Sequence, residues 1–442
     1  MLKKYAVPLL LLFFFLLYHS NFRDQSSPGD CVRLEMIDFS IARGDGFSLV
    51  NVFKEAGQGT GLLGKEWDHW QTERMDRPPY TALPFLPIYA LYNYFKGPIT
   101  LFSINFLGKF CAVLCALATL LILYGIALNL GASARLALFS TFAFGIATHI
   151  WHSVSQGFWS STGFVPFFAG GLYFLTLPKM KRRHIVLTSF CFGYAFACRQ
   201  QDVLQIVPFM ALLFWNHRKD WIAATVPFVL MAAMVAITNH IQTGTTLGTY
   251  GSTGYAHQQS EVRTGLAYGL SGNLFIGFPG LLISPARGLF IYTPLVLLPF
   301  IWLGRGIVPV IKNKKFTLIK ACLVSLVLEL LLLGKFSVWW GGYSWGPRLL
   351  TASLPVFFIL FVTYFPKKPS SFQRWVIAAC LFWGIMVQGL GAYKYHHWVW
   401  NWRPEDIDSA PHRLWDISDN PVSRAWNDPF YGTNWRNYSL EY

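Results

Sequence analysis

Long apolar runs, most of them about 17 to 25 residues, alternate along this chain with short polar stretches. They fall roughly at 5–20, 102–126, 134–150, 159–177, 184–199, 203–216, 221–238, 288–305, 317–334, 348–366 and 373–391. Inside a run the apolar residues are continuous, whereas a barrel strand would alternate apolar and polar over about ten residues. Backbone groups in hydrocarbon must be satisfied within each segment, so the pattern predicts helices. The fold class expected is an all-α polytopic membrane protein, a bundle of about 11 transmembrane helices. The stretch TALPFLPIYALYNYF, residues 81–95, is the exception. Pro84 and Pro87 inside it, with Pro78 and Pro79 before it, argue against a full crossing. It is placed as an interfacial helix of the outer surface, its aromatic residues at headgroup level.

Composition agrees: of 442 residues, 54% are hydrophobic and 13% charged. The formal charge of +15 is scattered in clusters between apolar runs, namely KMKRR at 179–183, HRK at 217–219, KNKK at 312–315 and KK at 367–368. Such clusters mark the cytoplasmic side and its anionic lipid, and they exclude a nucleic-acid surface. Lys3 and Lys4 precede the first run, and no small-residue cleavage site follows it, so it is expected to stay as an anchor with its N-terminus inside. Eleven crossings then put every basic cluster inside. The outer face receives a first loop, 20–101, further loops at 151–158, 239–287 and 335–347, and a tail at 392–442. The expected division is a transmembrane domain, 1–391, and a short external tail packed on the outer face. Trp402, Leu414 and Trp415 are the reason to expect that tail to be ordered. Six of the seven cysteines lie in apolar runs, with neither a disulfide framework nor a zinc spacing. His149, His152, His396 and His397 form no ligand set, so no metal site is predicted. No phosphate-binding or dinucleotide loop occurs, which excludes a nucleotide-driven pump.

Almost every unusual polar constellation falls outside, so the working site is expected at the external membrane surface. In GDCVRLEMIDFSIARGDGFSL, Asp30 opens a helix on which Glu35 and Asp38 are neighbours. A carboxylate there can deprotonate a hydroxyl acceptor or hold a divalent cation. In ERMDRPPY two prolines stiffen the support that presents Arg77, whose guanidinium suits a phosphate. In CRQQD, Arg199 and Asp202 sit where ionisable groups need a partner or a function. SPARGLFIYTP and WWGGYSWGPR share one design, loosened backbone around an arginine, Arg287 and Arg348. Trp340 and Tyr343 stand beside the second, and the indoles of Trp339, Trp340 and Trp345 offer faces for a sugar ring. Arg77, Arg199, Arg287, Trp340, Tyr343 and Arg348 are therefore the candidate substrate-binding residues, and Asp30 the candidate base. Lys109 and Glu329 lie inside apolar runs and could reach the site or pair with other helices.

The order of these features resembles the GT-C superfamily of polytopic membrane glycosyltransferases, which includes the protein O-mannosyltransferases and the aminoarabinose transferases. The match rests on an N-terminal helix, a loop from GD to IARGDGFSL, and RPPY leading into an interfacial helix. SPARGLFIYTP and WWGGYSWGPRLL are similar to stretches in bacterial relatives. The resemblance implies a GT-C-like bundle that takes a sugar from a polyprenyl-phosphate donor and passes it to a lipid, glycan or protein acceptor. It puts Asp30 in the place of the acidic residue of the first outer loop, and Arg77 at the basic position of a Lys-Pro-Pro or Arg-Pro-Pro motif. The chain departs from the family at Cys31, where many relatives carry a second acid, at Ser160 and Ser161, where some carry a polar Gln-His pair, and in having only a short tail for a soluble domain. The alternatives are a transporter or flippase of lipid-linked glycans, and a non-catalytic component of envelope assembly. The cell inner or plasma membrane is the expected location.

Overall fold

The computed structural model describes residues 2–21, 29–57, 79–95, 97–248, 255–257, 260–262, 269–304, 307–313, 315–395 and 397–427. Arg77 and residues 428–442 lie outside the described residues, as does the side chain of Asp30. The described chain is helical apart from one antiparallel hairpin, Tyr255–His257 with Ser260–Val262. Among the described residues three helices are long and apolar enough to cross a membrane, Phe102–Asn129, Arg218–Thr243 and Ser371–Tyr393. Shorter apolar helices include Tyr5–His19, Ala134–Ala147 and Leu274–Ile283.

Local chemistry sets the helix ends. Thr100 and Ser103 form a capping box that opens the long helix Leu101–Asn129, and Ser370 with Gln373 opens Ser371–Tyr393. Proline breaks two of the predicted runs. The run 288–305 divides into Leu289–Tyr292, a 3-10 turn Pro294–Leu297 and Leu298–Leu303. The run 348–366 begins as a 3-10 turn, Arg348–Ser353, between Pro347 and Pro355, and becomes α-helical only at Leu354–Tyr364. The proline-rich stretch 81–95 is two 3-10 turns and the short helix Leu86–Tyr94. Residues 274–283, placed by the sequence in an outer loop, form a helix against Leu318–Gly334.

The core runs along the bundle axis. Leu354 through Val362 are all buried, so this helix is apolar all round and lies at the centre. Helices Ser160–Leu175, Arg182–Cys198 and Trp221–Thr243 pack side by side. The outermost presents Ile222, Val229, Leu230, Met234 and Ile237 outward, an apolar face suited to lipid and not to water. Close approach uses small residues: a Cβ on Gly145 would lie 2.4 Å from the Phe14 ring, and the Tyr18 hydroxyl donates to the Gly145 carbonyl at 2.8 Å. A second, smaller core joins Gly29–Arg43 to Val50–Gly57, Leu86–Tyr94 and the start of the long helix through Phe39, Leu49, Val52, Tyr89 and Ile104. Beyond Tyr393 the chain folds back over one end of the bundle as His397–Trp402, a 3-10 turn Pro411–Trp415 and Pro421–Asn427.

Candidate functional site

The loop Trp339–Arg348 is held by its own glycines and tryptophans. Gly341, Gly342 and Gly346 have φ of +76°, +68° and +61°, which residues with a Cβ rarely adopt. Trp339 sits against Gly280 and Trp345 against Gly391, each within 2.5 Å of where a Cβ would stand. The three indoles are buried inside the protein at 5%, 8% and 2% exposure, so their faces meet packed side chains and are not open platforms for a sugar. The Trp340 indole N–H donates to Asp408 at 3.0 Å, and the Tyr343 hydroxyl donates to Asp406 at 2.5 Å. Burial raises the Asp408 carboxyl above its ordinary range, against the pull of the Trp340 bond.

Arg287 is wholly buried. Its guanidinium donates to the carbonyls of Trp340, Ala286 and Gly342 and to Asn401 Oδ1 at 2.6 Å, and it lies over the Trp400 ring. It is a clamp joining the 284–288 segment, the loop and the tail; most of its donors already have acceptors. The tail completes the clamp where the Leu414 carbonyl accepts from Ser284 Oγ at 2.6 Å. Leu414 is buried, but Trp402 and Trp415 are 44% and 38% exposed; the deeper anchors are Trp400 and Ile407.

Arg348 lies flat over Trp159, 4.2 Å from the ring, and donates to the Gly341 carbonyl at 2.6 Å. Arg199, 6% exposed, pairs with Asp202 at 2.7 Å and donates to the carbonyl of Leu349, the neighbour of Arg348. Arg199 thus anchors the backbone next to Arg348, whose own guanidinium is held on Trp159 and the Gly341 carbonyl. Next to Trp159, the Phe158 amide donates to Glu35 Oε1 at 3.3 Å. This bond ties the Gly29–Arg43 helix to the wall that carries Arg348, with Asp30 in its first turn, about 7.5 Å along the axis from Glu35. Two residues after Arg77, the turn Pro79–Thr81 docks beside Gly163 and Cys198, at the end of the helix that leads into Arg199. The structure therefore brings Arg199, Arg287, Trp340, Tyr343 and Arg348 to one end of the bundle, with the first-loop helix against the same wall.

Compared with protein-family models, with curated proteins and with solved structures, the chain matches none. Its reading therefore rests on this geometry. Among the described residues no group of three or more His, Cys, Asp or Glu is placed to hold a metal ion.

Sequence reasoning set His152 aside, yet it is central here. A π-helical turn, Ile150–Val154, aims its Nδ1 at Gln388 Oε1, 2.7 Å away, and its Nε2 at the Trp345 carbonyl, 3.0 Å away. The imidazole thus fastens the loop to the helix Ser371–Tyr393. Lys109 donates to Asn21 Oδ1 at 3.1 Å and to Gln156, so its charge is met within the bundle next to the Phe158–Trp159 wall. The acidic pair Asp406 and Asp408, partners of Tyr343 and Trp340, had no local signal in the sequence that assigned them to this loop.

Proposed function

We propose that the chain is a multi-pass glycosyltransferase of the GT-C kind, moving a sugar from a polyprenyl-phosphate donor to a lipid, glycan or protein acceptor at the outer face of the cell membrane. The observation that carries this reading is that Arg199 bonds the carbonyl of Leu349, the residue after Arg348, while Arg348 itself is held on Trp159. Two fixed guanidiniums beside a helix that begins with an acid supply what the reaction needs. The acceptor oxygen attacks the anomeric carbon, the bond from that carbon to the phosphate oxygen breaks, and the phosphate leaves with the electron pair. Arginines hold the departing charge, and a carboxylate, assigned to Asp30, takes the acceptor proton. The outward orientation follows from the basic clusters and the eleven-crossing arrangement, which belong to the same proposal.

A second reading, a non-catalytic envelope component, draws on Arg287, whose guanidinium donors are taken up within the protein, and on the three tryptophans buried inside it. One measurement separates them: release of polyprenyl phosphate from a radiolabelled donor by the purified protein. Release by the wild type, with loss of at least tenfold in Asp30→Asn and in Arg348→Lys, is expected, since a bond to a charged group contributes about 1.5 to 3 kcal/mol. Equal rates in all three proteins would remove the assigned site, and no release by any would favour the second reading.

A further inference from the structure

Glu329 lies in the middle of the apolar helix Leu318–Gly334 and is wholly buried. Neither of its oxygens meets an N–H or O–H donor among the described residues. Its close polar neighbour is another carboxyl, Asp202, with which it is in hydrogen-bonding contact, and Asp202 in turn pairs with Arg199. Two carboxylates cannot share a hydrogen bond without a proton between them. With both ionised, the cluster would hold one guanidinium against two anions in an apolar interior, and such an uncompensated buried charge is strongly unfavourable.

Among the described residues, the helices packed against that of Glu329 bring no cation close to it, and the end of Arg182–Cys198 that meets the Asp202 turn carries Tyr194 and Cys198, with Arg182, Arg183 and His184 at its far end. The helix Leu274–Ile283, packed on the same face, has no titratable residue, and Ile307–Lys312 contributes only Lys312 at its end. On Leu354–Tyr364 the titratable group is Tyr364, coupled to Cys322. The helix of Glu329 itself carries Lys320 and Cys322, two turns or more away. Val203–Asn216 adds no charge, but Gln205 and Ser325 continue the polar column: Ser325 donates to the Gln205 carbonyl at 2.8 Å, and Gln205 Nε2 to Ser353 at 2.5 Å. Gln205 Oε1 and the Thr351 hydroxyl are buried there without partners. The column ends at Ser353, in the turn Arg348–Ser353.

We propose that Asp202 and Glu329 form a binding site for one exchangeable proton, and that its occupancy sets the net charge of the cluster whose Arg199 holds the Leu349 carbonyl, next to Arg348 in the chain. Protonated, the Arg199–Asp202–Glu329 cluster is neutral; deprotonated, it carries one negative charge. Where Arg348 binds an anion, a point that rests on the functional reading above, the two events are linked: a proton on the pair strengthens anion binding, and an anion holds the proton. Infrared spectra of the purified protein at neutral pH test the site itself. A protonated-carboxyl carbonyl band that disappears in Glu329→Gln is expected, while identical spectra would mean both groups are ionised and overturn the proposal. Exchanging potassium for sodium at fixed pH and ionic strength should leave the melting temperature unchanged; stabilisation by sodium in the wild type alone would assign the site to a metal cation and overturn it. Binding of a short-chain polyprenyl phosphate should tighten as pH falls, approaching tenfold per pH unit where the pair titrates, and this slope should vanish in Glu329→Gln. A band without any polyprenyl-phosphate binding would leave the proton site standing and reject the functional reading. Binding without a pH slope would overturn the linkage.

Discussion

At the Trp339–Arg348 loop a buried guanidinium meets four protein acceptors, whereas on the Gly29–Arg43 helix the buried carboxyl of Asp38 meets no donor among the described residues. Tyr89, packed nearby on Phe39, buries its hydroxyl in the same way. The four bonds of Arg287 hold the first region in one arrangement, although Ser344 Oγ and Trp345 Nε1 in the same loop are buried without a partner among the described residues. The second keeps its carboxyl only by holding it neutral: burial pushes Asp38 up to about 8. One part of the proposed site is therefore fixed by bonds, and another is adjusted by protons.

The largest test of this contrast is Arg287→Leu. It leaves the carbonyls of Trp340 and Gly342 and the oxygen of Asn401 without their donor, at about 1 to 3 kcal/mol each, so a loss of about 5 kcal/mol is expected. Thermal unfolding in detergent measures it, and residues 397–427 should become open to protease; a variant with wild-type stability and a protected tail would refute the clamp.

Asp38→Asn should act in the opposite direction. An acid whose folded pKa is raised binds its proton more tightly when folded, so the wild type loses stability as pH rises from about 4 to about 8 and is level above that. The variant lacks this slope. Relative to wild type, it should gain about 5 kcal/mol between pH 4 and pH 8, measured as paired unfolding curves. Parallel pH profiles for the two proteins would show that Asp38 has a partner in solution.

The smallest expected difference lies within the loop. A Cβ at Gly346 would meet the Tyr292 ring at 2.6 Å in addition to the strain of positive φ, while one at Gly342 meets nothing. Gly346→Ala should destabilise by about 2 kcal/mol and Gly342→Ala by about 1. Equal effects would mean that backbone strain alone, and not the fit against Tyr292, shapes the turn.

The helices, the interruption at 81–95 and the folding back of the tail were legible in the sequence because apolar period, proline and large apolar residues act locally. The meeting of the Arg287 and Arg348 loops was also anticipated, as neighbours on one side of a membrane. Their chemistry was not. Asp406 bonds to a tyrosine 63 residues away and His152 to a carbonyl 193 residues away, and no local pattern encodes such a partner. The same holds for Trp339 and Trp345: composition offers an indole face, and only packing reveals that a glycine on another helix covers it. The two broken runs read as continuous helices in the sequence because a proline costs a run of apolar residues little of its apolar character.

The clamp at Arg287 also sets an order of manufacture. Arg287 leaves the ribosome 114 residues ahead of Asn401, and the loop carbonyls that it grips come between. Until Asn401 is made, a growing molecule carries most of the bundle with this arginine lacking its side-chain acceptor. The end of the bundle that holds Arg199 and Arg348 is therefore closed by residues made long after them, and a chain stopped before Asn401 is left without that clamp.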